Sequence, residues 1–399
     1  MKIGILTFHR SINNGAFMQC YALSKRIQQD FPNTTVEVLD YNSAVSEALY
    51  DTSFRQYMHG GSVKSKLQRL VKWMLDPTKI QRLKRRKAAF REALRYLPLS
   101  EVTLISDSTE SAVDYINKQY DALVVGSDAV WNYVLRGFPN LYFPDQSVRA
   151  KKLSYAASCY GMNFLTEEKN RAAIGDCLNG FSFLGVRDTA TEAFVTWSDA
   201  ALQTAHTCDP TAFLDVNNLP VDELAIRQKL QARGFDFTKP TIGVMGTAKM
   251  VQMVRSFFGD RYQIAALYSF TRGADIQLYD LSPFEWAYVF RFFKLTFTTY
   301  FHGTMLSLRN GTPVVCIALK TEFAKHHTPK TLDVLTRLGY ADWYFETDYQ
   351  AQNFEAINAQ ATQLLSGDYK SEILCRMDQE AASYDNFRQA LQNVIKECE

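Results

Sequence analysis

Three residues of this 399-residue chain stand where parallel α/β proteins do chemistry, just past apolar runs that read as strands. His302, in Phe297-Thr298-Thr299-Tyr300-Phe301-His302-Gly303-Thr304, falls where a strand hands over to a helix. There the helix dipole keeps an empty-site imidazole neutral, and an arriving phosphate or carboxylate recruits a proton to it, which is how a general acid behaves. A lone histidine is as readily a satisfied structural residue. Arg187, in Gly185-Val186-Arg187-Asp188, offers a permanent fork for a carboxylate or phosphate, or else pairs with Asp188 or another acid. Asp128, in Gly126-Ser127-Asp128-Ala129-Val130-Trp131-Asn132, suits a sugar: the carboxylate accepts from hydroxyls and Trp131 stacks on the ring face. It could equally cap the next helix.

A fourth segment, Phe8-His9-Arg10-Ser11-Ile12-Asn13-Asn14-Gly15-Ala16, is a polar loop that ends in Gly at a helix start. Free amides and the dipole there favour an anion or a sugar hydroxyl, although a plain capping turn has the same composition. His326-His327 are adjacent and point different ways on a helix, which argues against a metal. No Ser-His-Asp signature, Gly-x-Gly-x-x-Gly fingerprint or Cys-x-x-Cys pair is present.

The elements that must position these residues follow from periodicity. Ile3–Phe8 and Val36–Tyr41 read as buried strands around a helix at Ala16–Gln29. After an interruption of some sixty residues the alternation resumes with strands at Asp121–Val125, Lys152–Ala157 and Phe183–Arg187 and helices at Glu167–Gly180 and Thr189–Trp197. A second series opens near residue 220 with a helix at Asp222–Arg233. Strands at Pro240–Met245, Tyr262–Leu267, Leu295–Thr299 and Pro313–Leu319 follow, with helices at Pro283–Phe292 and Thr304–Arg309. Alternating strands and helices imply parallel sheets covered on both faces, so the expected fold class is α/β, with two doubly wound, Rossmann-like domains facing a cleft. Residues 1–215 form the first and 216–368 the second, and a final helix over 369–399 crosses back to the first.

The interruption, about residues 46–110, carries the charge. Thirteen Lys and Arg between Arg55 and Arg95 face only Asp76 and Glu92, a local charge of +11 in a chain whose total is +2, leaving −9 elsewhere. Leu67, Leu70, Val71 and Met74, with Trp73 nearby, form one apolar stripe among Lys64, Lys66, Arg69 and Lys72. Ile80, Leu83, Phe90, Leu94 and Leu97 repeat the pattern around Lys84 to Lys87. Such a basic amphipathic pair either lies on an anionic membrane surface or packs on the first domain. Basic residues without interleaved aromatic readout argue against nucleic acid.

Hydrophobic residues make up 47% and charged residues 22%, which excludes disordered and collagen-like chains. No apolar run reaches the roughly 18–20 residues of a spanning helix and no cleavage site follows the N-terminus. Seven scattered cysteines argue against a disulfide framework or zinc cage, so a cytoplasmic location is expected, or a peripheral one at the inner face of the plasma membrane.

Taken together, Ile3-Gly4-Ile5-Leu6-Thr7-Phe8-His9, Asn14-Gly15-Ala16, Gln19-Cys20-Tyr21-Ala22-Leu23, Gly126-Ser127-Asp128 with Trp131-Asn132, Tyr155-Ala156-Ala157-Ser158, Val186-Arg187-Asp188, Asp209-Pro210-Thr211 and His302-Gly303-Thr304 resemble the polysaccharide pyruvyltransferase family, in family order. The resemblance implies a fold similar to two-domain GT-B glycosyltransferases, and transfer of the enolpyruvyl group of phosphoenolpyruvate to two hydroxyls of a sugar or lipid-linked oligosaccharide in bacterial surface polysaccharide synthesis, giving a pyruvate ketal and phosphate without a cofactor or metal. It implies catalytic roles for His302, Asp128 and Arg187, a donor side with Arg187, His302, Gly303 and Thr304, and an acceptor side with His9, Asn13, Asn14, Gly15, Asp128 and Trp131. Tyr300 stands where many members of the family carry Arg, so Lys249, Arg272 or Lys320 is expected to supply the missing charge. The departure leaves open a GT-B glycosyltransferase using a nucleotide sugar, and the basic block leaves open a non-catalytic lipid-associated binding protein.

Overall fold

The structure, a computed structural model, describes residues 1–43, 76, 78–106, 108–134, 136–319, 326–347, 349 and 354–398. The first half runs β1 (Lys2–Leu6), α1 (Asn14–Asp30), β2 (Thr35–Val38), β3 (Tyr41–Asn42), α2 (Lys79–Ala93), β4 (Leu104–Ile105), α3 (Glu110–Gln119), β5 (Ala122–Val125), β6 (Lys151–Ala157), α4 (Arg171–Asn179), β7 (Phe181–Val186), α5 (Thr189–Ser198) and β8 (Ala205–His206). The second runs α6 (Glu223–Gln231), β9 (Thr241–Met245), α7 (Ala248–Phe258), β10 (Gln263–Leu267), β11 (Ile276–Leu278), α8 (Pro283–Tyr288), β12 (Leu295–Thr298), α9 (Phe301–Arg309), β13 (Val314–Ala318), α10 (Lys330–Arg337), β14 (Tyr344–Glu346), α11 (Phe354–Ser366), α12 (Lys370–Ala381) and α13 (Tyr384–Cys398).

Two six-stranded sheets result, in the orders β2-β1-β5-β6-β7-β8 and β11-β10-β9-β12-β13-β14, with all neighbours parallel. Their central strands are buried throughout, as in Ala122–Val125 and Thr241–Met245, because helices cover both faces. The chain reverses direction across each sheet once, between β1 and β5 in the first and between β9 and β12 in the second. At such a switch point the loops beyond adjacent strands diverge and leave a crevice. Both crevices open toward the junction between the sheets.

That junction is held by aromatic packing. Phe17 and Tyr21 of α1 meet Phe284 of α8 with ring centroids 5.3 and 4.9 Å apart, so one apolar core runs from one half into the other. The expected single terminal helix is broken at Ala382–Ser383 into α12 and α13, and Phe387 of α13 packs on Tyr155 of β6 at 4.9 Å, against the first sheet.

Of the basic interruption, Arg55, Lys64, Lys66, Leu67, Arg69, Leu70, Val71, Lys72, Trp73 and Met74 lie outside the described residues. Its described helix, α2, packs into the fold: Phe90 is buried against Phe17 at 5.7 Å, and Leu97 is buried just beyond the helix. Lys84, Arg85 and Arg91 face outward. No described helix is long and apolar enough to cross a membrane.

Candidate active site

The site is organised around one buried carboxylate. Asp209 ends the segment after β8 and caps the turn Pro210–Phe213, accepting from the Thr211 amide and hydroxyl through Oδ1. Its Oδ2 faces three side chains from three elements. Gln19 Nε2 of α1 donates to it at 2.5 Å, Arg187 Nη1 beyond β7 at 3.1 Å, and His302 Nε2 of α9 lies 3.6 Å away. Burial pushes the Asp209 carboxyl up. The approach of His302, the Arg187 guanidinium and the Thr211 hydroxyl overcome this and hold it well below the usual carboxylate range. Asp209 thus keeps a negative charge inside the protein and gathers both halves around it.

His302 lies one residue inside α9, which begins at Phe301 and not at Thr304 as periodicity suggested. Gly303 permits the earlier start, because a Cβ on it would come within 2.4 Å of Thr298 Oγ1 on β12. The imidazole is laid on the first half: a Cβ on Gly15 would meet His302 Nδ1 at 2.1 Å. Gly15 is therefore the seat of the histidine as well as a helix start. Asn13 caps α1, accepting from the amides of Gly15 and Ala16, so its side chain is spent locally.

Arg187 is 1% exposed and pairs with Asp209, while its Nε is 3.7 Å from Asp188 Oδ2. Asp188 itself caps α5 and accepts from Ser158 and Thr191. The Arg187 guanidinium lies 4.8 Å from the Phe301 ring, whose centroid is 5.3 Å from Lys330 Nζ. Lys330, the first residue of α10, is half-buried and also rests 4.6 Å from the Tyr160 ring. Burial above all, and then Arg187, bring its ammonium down to about 8, against the opposite pull of Asp128, Asp188 and Asp209. Asp128 is buried, holds a left-handed φ of 78° and turns Oδ1 to the Ala129 amide. Such backbone costs about 1–3 kcal/mol for a side chain other than Gly and persists where the surroundings enforce it.

Six buried polar atoms here have no hydrogen-bond partner among the described residues: Asn14 Oδ1, Gln19 Oε1, Ser127 Oγ, Arg187 Nε, Arg187 Nη2 and His302 Nε2. Each such atom costs roughly 1–3 kcal/mol if nothing completes it. Their concentration where the two crevices meet points to a bound ligand with both acceptor and donor atoms. A surface cavity of about 280 Å³, beside Tyr96 and Phe284, lies away from this chemistry.

Several expected site residues stand elsewhere. His9 is fully buried with Nε2 2.8 Å from Asp40, and Arg10 and Thr103 bond the same carboxylate, which removes His9 from any acceptor. Trp131 is likewise corrected: its fully buried ring packs with Phe143 and Phe194 and its N–H donates to the Tyr142 carbonyl, so it offers no sugar platform. Thr304 turns its hydroxyl to Cys316 Sγ and the Tyr300 carbonyl. Lys249 and Arg272 are exposed, on the first turn of α7 and in the β10–β11 loop. Lys320 lies outside the described residues. Sequence reasoning missed Gln19, Asp209 and Lys330 as site residues. Asp209-Pro210-Thr211 carries a legible capping signal; Lys330 carries none, since it is brought in only by the return of the chain after β13.

Residues 13–321 match the family model for polysaccharide pyruvyl transferase. The chain belongs to the polysaccharide pyruvyl transferase family. Among curated proteins none matches it. This pyruvyl transferase family member is similar in structure to a Listeria monocytogenes protein described as a UDP-N-acetylglucosamine 2-epimerase, with 11% identity, a TM-score of 0.54 and 99% of this chain and 97% of that one covered. It is similar also to UDP-GlcNAc 2-epimerase from Neisseria meningitidis, bound to UDP-GlcNAc, with 8% identity, a TM-score of 0.53 and 98% and 100% covered. The fold of this family member is thus of the two-domain GT-B type.

Proposed function

We propose that the protein transfers the enolpyruvyl group of phosphoenolpyruvate to two hydroxyls of a sugar destined for a surface polysaccharide, forming a cyclic pyruvate ketal. The observation that carries this reading is the set of orphaned polar atoms on Arg187 and His302, gathered with Lys330 at the junction, which suits a small ligand bearing both carboxylate and phosphate. Residues 1–215 serve as the acceptor side and 216–368 as the donor side.

Phosphoenolpyruvate is an enol ether, so its methylene carbon accepts a proton and its ester carbon becomes oxocarbenium-like. His302 supplies the proton from Nε2, and Asp209, 3.6 Å away, balances the imidazolium charge. Asp128 takes the proton of the first sugar hydroxyl as its oxygen attacks the ester carbon. Arg187 and Lys330 stabilise the leaving phosphate. Cleavage of the bond from that carbon to the phosphate oxygen re-forms the cation, a second hydroxyl attacks it and closes the ring, and its proton leaves on the phosphate, so that one phosphoenolpyruvate and one diol become one ketal and one phosphate. The reaction needs no metal or organic cofactor. Lys84, Arg85 and Arg91 on the outer face of α2 would hold the protein against an anionic membrane surface, near a lipid-linked acceptor.

Incubation with phosphoenolpyruvate and a panel of sugars and lipid-linked sugars, read by product mass, tests the proposal. A mass gain of one pyruvic acid less one water, with release of phosphate, is expected. Transfer of a glycosyl group from a nucleotide sugar instead would overturn it.

A further inference from the structure

Among the described residues three Phe, Tyr or Trp side chains are exposed: Tyr96, Phe270 and Tyr300. The first two carry a guanidinium over the ring, Arg95 at 5.1 Å and Arg82 at 4.3 Å. Tyr300 is 42% exposed, and no cation among the described residues lies over it. It is the residue that hands β12 over to α9, two positions before His302. Its amide donates to Thr298 Oγ1 at 2.9 Å and its carbonyl accepts from the Thr298 and Thr304 hydroxyls, so the backbone that carries the ring is pinned.

The ring is also braced. Tyr268, directly after β10, stands 5.6 Å from it with the two planes inclined at 58°. Tyr268 is itself fixed on three counts. Its φ of 71° is left-handed, the Arg86 guanidinium lies 3.5 Å from its ring, and its hydroxyl donates to the Ile12 carbonyl at 3.4 Å. Arg86 donates to the same carbonyl at 3.0 Å. A left-handed side chain other than Gly persists only where its surroundings enforce it, and such residues cluster at functional sites. The brace thus runs from the second half to the segment of the first half that seats His302 on Gly15. Between Ile12 and Gly15 in that segment, Asn14 is buried and its Oδ1 has no donor.

We propose that Tyr300 is the platform on which an uncharged pyranose of the acceptor stacks, with Asn14 Oδ1 accepting from one of its hydroxyls. The inference rests on the pyruvyl-transfer reading and names the residue that selects the acceptor. The C–H groups on one face of a pyranose are slightly positive and meet the negative face of an aromatic ring. Small-ligand sites join such apolar contact to a few buried polar groups that fix orientation, and the unpartnered Asn14 oxygen is one. Trp131, buried in the aromatic core, leaves this place to Tyr300. Arg, which many members of the family carry here, offers a charge to an anionic group; Tyr offers a neutral ring face instead.

The test is saturation-transfer NMR and calorimetric titration of the full chain with the methyl glycosides of galactose, glucose and mannose, in wild type, Tyr300→Phe, Tyr300→Leu and Tyr300→Arg. At least one glycoside should bind wild type saturably, with transfer strongest to the C–H protons of one ring face. Tyr300→Phe should keep that affinity, whereas Tyr300→Leu and Tyr300→Arg should weaken it about five- to tenfold, the scale of one lost aromatic contact. Phosphoenolpyruvate, titrated separately, should bind Tyr300→Leu as it binds wild type. Its failure to bind wild type would count against the transfer reaction and not against the platform. Three results would overturn the assignment: no saturable glycoside binding in wild type, an affinity that Tyr300→Leu leaves unmoved, or a loss in Tyr300→Phe as large as in Tyr300→Leu. Loss of phosphoenolpyruvate affinity in Tyr300→Leu alone would move the residue to the donor side. UDP binding that Tyr300→Leu abolishes, with no glycoside bound, would replace the sugar by a nucleobase.

Discussion

Replacing Lys330 by Met should stabilise the protein at pH 7 while weakening donor binding. The fold lowers the Lys330 ammonium from 10.5 to about 8, chiefly by burial and then by Arg187. A shift of that size means that the charged form is disfavoured in the folded state by about 3 kcal/mol. Met fills a similar volume without the charge, but it loses the contacts with the Tyr160 and Phe301 rings, worth on the order of 0.5–1 kcal/mol each. The net gain is then about 1–2 kcal/mol. With an unfolding entropy of roughly 2.1 cal/mol/K per residue, this raises Tm by about 1–2 °C. Linkage gives the pH dependence. Between pH 8 and 10.5 the unfolded lysine holds a proton that the folded one has released, so wild-type stability rises with pH and the advantage of the variant disappears. Differential scanning calorimetry of both proteins at pH 7 and pH 10, with and without phosphoenolpyruvate, reads all of this. A variant less stable than wild type at pH 7, or a difference that does not change with pH, would refute the reasoning.

The same geometry fixes other outcomes. His302→Ala should lower turnover about a hundredfold or more with little change in Tm, and near-normal turnover would remove it as the acid. Gly15→Ala places a methyl 2.1 Å from His302 Nδ1; turnover should fall by a similar factor, although Ala favours the helix, and steady-state assay beside thermal melts separates the two effects. In Arg187→Lys the Asp209 pair keeps its charge but the Nη2 arm is lost, so KM for phosphoenolpyruvate should rise more than kcat falls. Asp209→Asn leaves the buried Arg187 with only the more distant Asp188 as counter-charge and should cost on the order of 3 kcal/mol at neutral pH. Because the carboxyl is held low in the fold, its contribution is present above about pH 4 and lost as pH falls, so the deficit in urea unfolding should shrink on acidification.

Both sheets were legible because their strands are buried on both faces and read as unbroken apolar runs, such as Ala122–Val125 and Leu295–Thr298. The short outer strands β8, β11 and β14, of two or three residues, carry no such run. His302 and Arg187 were legible for a related reason: a polar residue directly after a buried strand has few neutral explanations. Trp131 and His9 misled because local sequence cannot show which face of a loop turns inward. Trp131 faces the aromatic core beneath β5, and His9 meets Asp40 across thirty-one residues. Lys330 and Gln19 join the site only through long-range return of the chain, which no spacing encodes. The charge of the interruption was visible, whereas its contact with Tyr268 and Phe270 across the junction was not.

The central claim is that phosphoenolpyruvate occupies the junction among Arg187, His302 and Lys330. Calorimetric titration of the protein with phosphoenolpyruvate and with UDP-GlcNAc tests it most directly, repeated in Lys330→Met and at pH 9.5. Saturable binding of phosphoenolpyruvate that weakens in the variant and above pH 8, where the Lys330 charge is lost, is the expected result. Saturable affinity for UDP-GlcNAc alone would contradict it.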